Sequence, residues 1–299
     1  MSHSVGGFRP RAVTVDQFDE LWRGHRAHVL NVAYRMLGNI GDAEDVVQEA
    51  FARLSRADLD SIRDVRGWLV VVVGRLCLDH LGTARVRRER QHAPDSRAFA
   101  SGTGAVDPAD RITLDDSVRE AFLVVLQQLT PAERTVFVLH DVFQYPFETV
   151  ADIVGRTATA CRQLASRARH RIETRAPESA RFVVELSDER RIADEFVVAC
   201  AGGDVRALVQ LLDPGVVGHA RVAGVAVEQV GRDRVLQNVL RFFANPGITL
   251  VTQLVDGRAG VFAFRNRELL AVLAFDTDAG VITHIDGVAD PRIASSATA

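Results

Sequence analysis

The stretch TATACRQLASRARHRI, residues 157–172, sorts its side chains onto two sides of one helix. Cys161, Leu164, Ala165, Ala168 and Ile172 recur at helical spacing and predict a buried side. Thr159, Arg162, Gln163, Ser166 and Arg169, flanked by Thr157 and Arg167, predict a polar and basic side. These are the residue types that read DNA: Arg bridges guanine O6 and N7, and Gln bridges adenine N6 and N7. Just before it, Tyr145-Pro146 opens a short helix that ends at Gly155. A short helix, a glycine-containing turn and a basic helix predict a helix-turn-helix. A solvated helix of an ordinary bundle is the alternative.

Upstream, Thr130 reads as an N-cap, with Pro131 at the first helical position and Glu133 at the third. Residues 111–175 are therefore expected to form one helical domain. Residues 92–110, HAPDSRAFASGTGAVDPAD, have no apolar period and read as a linker. Before the linker, residues 16–91 read as three helices. Phe18, Leu21, Trp22, Val29, Val32, Met36 and Leu37 set the first. Gly38 and Gly41 interrupt it, and Asp42 is expected to cap the second, whose apolar side is Val46, Val47, Ala50, Phe51 and Leu54. A loop over 55–64 precedes a third helix from Val65 to about Arg90.

Charge is segregated within these blocks. Residues 156–175 hold six Arg and the single acid Glu173, and residues 85–90 hold four Arg and the single acid Glu89. Residues 42–49 hold Asp42, Glu44, Asp45 and Glu49 with no base. Asp42, Asp45 and Glu49 share one helix face beside Gln48, and like charges so placed repel. A docked basic partner would relieve them; a solvated acidic face is the alternative. In the third helix, Trp68 suits a core position or a base-stacking platform, and the Arg cluster suits a phosphate backbone.

Residues 176–187 read as a second linker, and a different style follows. Helices are expected at 188–202, 204–212 and 231–244, then strands at 248–255, 259–264, 269–275 and 281–288, with hairpin turns at Asp256-Gly257 and 278–280. This predicts an α+β domain over 188–290. His284 and Asp286, two apart on a strand, share a side and are candidates for an acid/base pair or a ligand pocket, as well as for an ordinary surface pair. Residues 1–15 and 291–299 read as flexible ends.

The chain has 299 residues, 47% hydrophobic and 25% charged, which fits several globular domains and excludes a disordered or collagen-like chain. The longest apolar run, Trp68–Gly74, stops at Arg75, short of a membrane span. All 36 basic residues are Arg. Cys77, Cys161 and Cys200 are isolated and predict neither a disulfide framework nor a zinc site. GxxxxGK[ST], HExxH and GxSxG are absent, so no catalytic residue, metal or cofactor is expected. A cytoplasmic protein without a membrane partner is expected.

The run Gly41-Asp42-Ala43-Glu44-Asp45-Val46-Val47-Gln48-Glu49-Ala50-Phe51 resembles the polymerase-binding helix of the extracytoplasmic-function (ECF) group of bacterial sigma factors. Leu129–Arg134, Phe147–Gly155 and Arg162–Arg169 resemble the fourth domain of such factors, and the C-terminal part is similar to a SnoaL-like, cystatin-type α+β cone. The resemblance implies two all-α sigma domains, the second with a helix-turn-helix, followed by that cone as a regulatory domain. It implies that Asp42, Asp45, Gln48 and Glu49 dock on the β′ clamp helices of core RNA polymerase. Residues 55–64 and the third helix, with Arg63, Arg66, Trp68, Arg75, Arg85, Arg87 and Arg88, take the melted −10 element. Thr157, Thr159, Arg162, Gln163, Ser166, Arg167 and Arg169 read the −35 element, with the β flap as a second polymerase contact. The family usually has Ala-Arg-Asn where this chain has Val73-Gly74-Arg75, and its terminal motif is reduced here to Asp290-Pro291-Arg292-Ile293. A SnoaL-like cyclase or isomerase fused to a DNA-binding part, and an operator-binding regulator, are the alternatives. The acidic helix argues against the operator binder, and the missing catalytic motifs argue against the enzyme.

Overall fold

The computed structural model describes residues 14–91, 129–175, 187–222, 225–245, 247–255 and 258–290. The expected linker at 92–110, the helical stretch 111–128, all but the last residue of the linker at 176–187, the turn at 256–257, residues 1–13 and the tail 291–299 lie outside the described residues.

Helix α1, Val15–Leu37, starts on a capping box between Thr14 and Gln17 and stops at Gly38, whose φ of 75° only glycine adopts without strain. Helix α2, Ile40–Leu54, is capped by Asn39, whose side chain accepts from the Asp42 N–H. The expected cap, Asp42, is instead the third helical residue, because the capping oxygen must come from the residue before the first helical one. The loop at 55–64 contains a 3-10 turn, Leu59–Ser61, and α3 runs over Val65–Gln91. Within α3, Val65–Ala84 is long and apolar enough by composition to cross a membrane, so Arg75 is less of an interruption than expected. In the fold, Leu69, Val70, Val73 and Cys77 of this helix are fully buried in the core.

Helix α4, Pro131–Val136, carries the expected Thr130–Glu133 capping box and passes into a π-helical turn, Phe137–Val142. Helix α5, Phe147–Val154, ends at Gly155 with φ 67°, and α6, Ala158–Arg175, starts where the Thr157 hydroxyl accepts from the Ala160 N–H. The helix-turn-helix is therefore present.

The C-terminal domain has α7 (Ser187–Gly202), α8 (Val205–Leu211) and α9 (Arg232–Phe243) on a six-stranded sheet in the order β2-β1-β6-β5-β4-β3. Strands β3 (Thr249–Val255), β4 (Arg258–Arg265), β5 (Glu268–Asp278) and β6 (Val281–Ala289) form the expected antiparallel meander. Strands β1 (Leu212–Val222) and β2 (Val225–Val230) were not expected. Pro214, Gly215 and Gly218 make β1 read as a loop, and its register with the parallel neighbour β6 shifts between Leu212 and Val217.

The sheet is covered on both faces over β3–β5. Leu250, Val261, Leu273 and Phe275 join the core under α7–α9, whereas Val251, Phe262, Phe264 and Val272 join a core shared with α1–α6. Burial on both faces explains why β4 and β5 read as unbroken apolar runs.

Strand β3 is a sheet edge, and α1 covers it. The Thr252 N–H donates to Asn31 Oδ1 at 2.8 Å, and the Thr252 carbonyl accepts from Arg35 Nη2 at 3.2 Å. Asp194 Oδ1 accepts from Asn31 Nδ2 and from the Thr252 hydroxyl. The two helical domains also meet directly. A Cβ at Gly74 would lie 2.8 Å from Ile153 Cγ2, so the glycine permits the approach of α3 to α5. Arg75 Nη2 donates to the Asp152 carbonyl at 2.9 Å, and Arg134 Nη1 to the Met36 carbonyl at 3.2 Å. His28 lies 2.7 Å from the Tyr145 hydroxyl. Arg66 Nη2 lies 3.1 Å from His28 Nδ1 and 3.5 Å from its Nε2.

Asn31→Ala removes the partner of the buried Thr252 N–H, while Asp194 keeps the Thr252 hydroxyl. Leaving such groups unsatisfied costs about 1–3 kcal/mol, which denaturant titration of the full chain will register as a lowered midpoint. Burial, followed by Arg66, His25 and Arg190, pushes His28 down to about 3 from its ordinary 6.5. The unfolded chain therefore binds the extra proton first. The stability this neutral histidine supports is complete above about pH 6.5 and is lost as pH falls toward 3. Melting temperature followed over that range should fall less steeply in His28→Gln than in the wild type.

Candidate functional site

Helix α2 buries Val46, Val47, Ala50, Phe51 and Leu54 and turns its acidic residues outward. Residues 42–49 contain no base of their own; three arginines and a histidine lie beside them in the fold. His80 of α3 lies 3.6 Å from Asp42, and Arg53 pairs with Glu49 at 2.8 Å. Arg26 of α1 lies 3.6 Å from Glu44. Arg267, at the tip of the β4–β5 hairpin, reaches Asp45 at 2.6 Å and Glu44 at 3.5 Å. The Thr249 hydroxyl of β3 donates to Glu44 Oε1 at 3.0 Å. Gln48 is exposed. The C-terminal domain thus sits on one side of the acidic face through Glu44 and Asp45, and leaves Gln48 and Glu49 open.

The hairpin tip is unusual. Asn266 and Arg267 have φ of 51° and 68°. A two-residue turn with both residues left-handed favours Asn-Gly, and Arg in that position is strained. The arginine brings a guanidinium to α2 in return. Sequence reasoning missed Arg267; the available signal was Asn266-Arg267 between two apolar strand-like runs.

Of the residues assigned to the −10 element, Arg63 is exposed, Arg66 is exposed while bonded to His28, and Trp68 is half-buried against the core of α1–α6. Arg75 is exposed but donates to the Asp152 carbonyl. Arg85, Arg87 and Arg88 belong to the last turns of α3.

On the helix-turn-helix, Cys161, Leu164, Ala165, Ala168 and Ile172 are buried, as the periodicity required. Thr157, Thr159, Arg162, Gln163, Ser166 and Arg167 are exposed. Arg162 lies 3.3 Å from Glu148 and over the Phe147 ring, which orients its guanidinium at the start of α6. Arg169 is 43% exposed and also has its Nε 2.6 Å from Asp141, whose side chain is only 8% exposed. Arg171 is likewise 2.7 Å from the buried Glu133. Both arginines tie α6 to the helices beneath it.

His284 and Asp286 share a face as expected, but it is the face turned away from α7–α9. Their register partners Asp276 and Ala274 lie on that same face. His284 is exposed. Asp286 accepts from Arg258 at 2.7 Å and lies 3.4 Å from His219. Burial alone would raise the Asp286 carboxyl, yet Arg258 and His219 hold it below its ordinary value. Asp286 is part of a surface charge network with Arg258 and His219, whereas His284 lies 3.3 Å from the Thr283 hydroxyl.

The Sigma-70 region 2 family model matches residues 21–87, and the Sigma-70, region 4 model matches residues 119–172. "Probable ECF RNA polymerase sigma factor SigI" of Mycobacterium tuberculosis is 48% identical over 281 residues, covering 92% of this chain and 94% of that protein. ECF RNA polymerase sigma factor SigJ of the same organism is 36% identical, over 83% of this chain and 80% of its own. The crystal structure of the M. tuberculosis factor SigJ is similar over 94% of this chain and 98% of that one, at 29% identity and a TM-score of 0.37. With SigI matched at this identity over 92% of the chain, and both sigma regions falling on the helical domains described above, the chain belongs to the ECF RNA polymerase sigma factors.

Proposed function

We propose that this sigma factor directs core RNA polymerase to its promoters through α2 and α6, and that its own C-terminal domain holds the polymerase-docking face of α2 until the three domains part. The observation that carries the reading is the ion pair of Arg267 with Asp45 and Glu44. A polymerase surface that takes Asp45 must displace Arg267.

Asp42, Asp45, Gln48 and Glu49 dock on the β′ clamp helices, and the second helical domain meets the β flap. The exposed Thr157, Thr159, Arg162, Gln163, Ser166 and Arg167 enter the major groove of the −35 element, in the manner of a recognition helix. Arg63, Arg66 and Trp68, with the basic end of α3, take the −10 strand, where stacking and backbone contacts act together. Arg75 joins them once α5 moves away. Arg169 is left out of the DNA contacts, since Asp141 already uses it. Melting is driven by binding energy, with no bond broken in the protein or in a cofactor. The work takes place in the cytoplasm, beside the polymerase. The C-terminal domain acts as a regulator rather than a catalyst: the charges of Asp286 and Arg258 satisfy each other at the sheet surface.

The test is binding to core polymerase. Asp45→Arg with Glu49→Arg should abolish it in a folded protein, because lost charge contacts at a desolvated interface cost about 2–5 kcal/mol. Arg267→Gly should strengthen it, since glycine relieves the turn and frees Asp45. Unchanged affinity in the first variant overturns the docking assignment, and weakened or unchanged affinity in the second overturns the masking. For DNA, Gln163→Ala and Arg162→Ala should each reduce −35-dependent transcription selectively by sequence, by about 1–3 kcal/mol of discrimination. A loss of equal size on every promoter tested counts against base reading.

A further inference from the structure

Of the exposed residues of α6 proposed to meet DNA, Arg162 is held by a second helix. Its Nη2 lies 3.3 Å from Glu148 Oε1, and its guanidinium carbon lies 5.3 Å from the centre of the Phe147 ring. Both partners come from the first turn of α5, the other helix of the helix-turn-helix. Among the described residues, no side-chain hydrogen bond or ion pair joins Gln163, Ser166 or Arg167 to another helix. The Phe147 ring is itself fixed. The His140 imidazole stacks on it, with ring centres 3.7 Å apart and planes 28° apart, and His140 Nδ1 donates to the Tyr145 carbonyl at 2.9 Å. Imidazole, phenyl ring and guanidinium form a chain from the π-helical turn, through the start of α5, to α6.

The Arg162 and Glu148 side chains are 54% and 71% exposed, and an ion pair so open to water adds little to folding. Its effect is on where the guanidinium stands. A free arginine side chain samples many rotamers, and stilling it on a partner costs about two- to tenfold in affinity. A guanidinium already braced by a carboxylate and a ring loses less when DNA arrives. Glu148 engages Nη2, and the remaining N–H groups of the planar fork can still meet guanine O6 and N7.

We infer that Glu148 and Phe147 are positioning residues that make Arg162 a base reader: they hold its guanidinium for one guanine of the −35 element and keep it from acting as a mobile phosphate contact. This rests on the −35 reading of α6 proposed above and adds that α5 sets how sharply α6 discriminates. The carboxylate acts in a second way. Beside an arginine that faces DNA, it repels phosphate and lowers the attraction for duplexes of any sequence. Specificity is a difference of affinities, and both effects widen it.

The test measures base preference in the holoenzyme made from core polymerase and the full chain. The complex selects from random-sequence duplexes, and sequencing them gives a preference at each position. In Arg162→Ala, one position should lose its preference. Glu148→Gln and Phe147→Leu should each weaken the preference at that same position by about two- to tenfold and leave the others unchanged. Phe147→Tyr, which keeps the ring, should retain it. Glu148→Gln should also bind a duplex without the selected sequence at least as tightly as the wild type does, whereas a damaged fold would weaken binding to both duplexes. With Arg162→Ala already present, Glu148→Gln should leave the preference profile as it is, since the two residues act through one contact. The inference is overturned if Glu148→Gln leaves the preference intact, weakens every position alike, binds the unselected duplex more weakly, or adds to the effect of Arg162→Ala. If Phe147→Leu fails to fold, the exposed Glu148→Gln decides alone. If Arg162→Ala alters no position, the −35 reading falls and this inference with it; a selective Arg162→Ala beside a silent Glu148→Gln removes the positioning alone.

Discussion

An uncovered sheet edge is a liability in water, and the fold meets it by placing α1 along β3. The Thr252 N–H and carbonyl point away from the sheet, and Asn31 and Arg35 receive them. Sheets commonly protect such edges with a charge, a bulge or a covering element. Here the covering element is the first helix of the domain matched by Sigma-70 region 2. The C-terminal domain therefore depends on that helix for hydrogen bonds it cannot make itself. One apolar core runs from α1–α6 into the outer face of β3–β5, so separating the domains also exposes Val251, Phe262 and Phe264.

The remaining contacts between domains follow from this placement. With α1 against β3, the β4–β5 hairpin falls over α2, and its tip carries arginine where the turn favours glycine. The turn gives up conformational ease for a charge aimed at Asp45. Gly74 works in the opposite direction: it lacks a side chain where α3 must approach Ile153. A glycine that admits a neighbouring helix and an arginine that strains its turn are local compromises explained only by contacts between domains. Each lies at or beside a residue proposed above to meet polymerase or DNA.

The same arrangement gathers polar side chains where α1, the π-helical turn, α7 and α8 meet. Arg35 covers the edge of β3 through Nη2, and its guanidinium lies 5.8 Å from the Phe143 ring centre. Arg66 likewise braces His28 while standing among residues suited to promoter DNA. Side chains that serve both an interface and a function are where a change of domain arrangement alters function directly, because the same donor cannot satisfy both partners.

Local signals were enough for much of this protein. The capping box at Thr130 and Glu133, the glycine stop at Gly155, the two-sided period of 157–172 and the acidic face of α2 each arise from interactions within a few residues, so the helical domains and their candidate surfaces were legible in order. The meander β3–β6 was legible for the same reason. Strands β1 and β2 were not, because Pro214, Gly215 and Gly218 look like a loop until β6 pairs alongside. Tertiary structure alone decided that Arg169 and Arg171 belong to Asp141 and Glu133, that Asp286 belongs to Arg258, and that Arg267 reaches Asp45 from 222 residues away. A charge on a helix face is visible in sequence, but its partner is set by which elements pack together, and that packing is determined by burial summed over the whole chain.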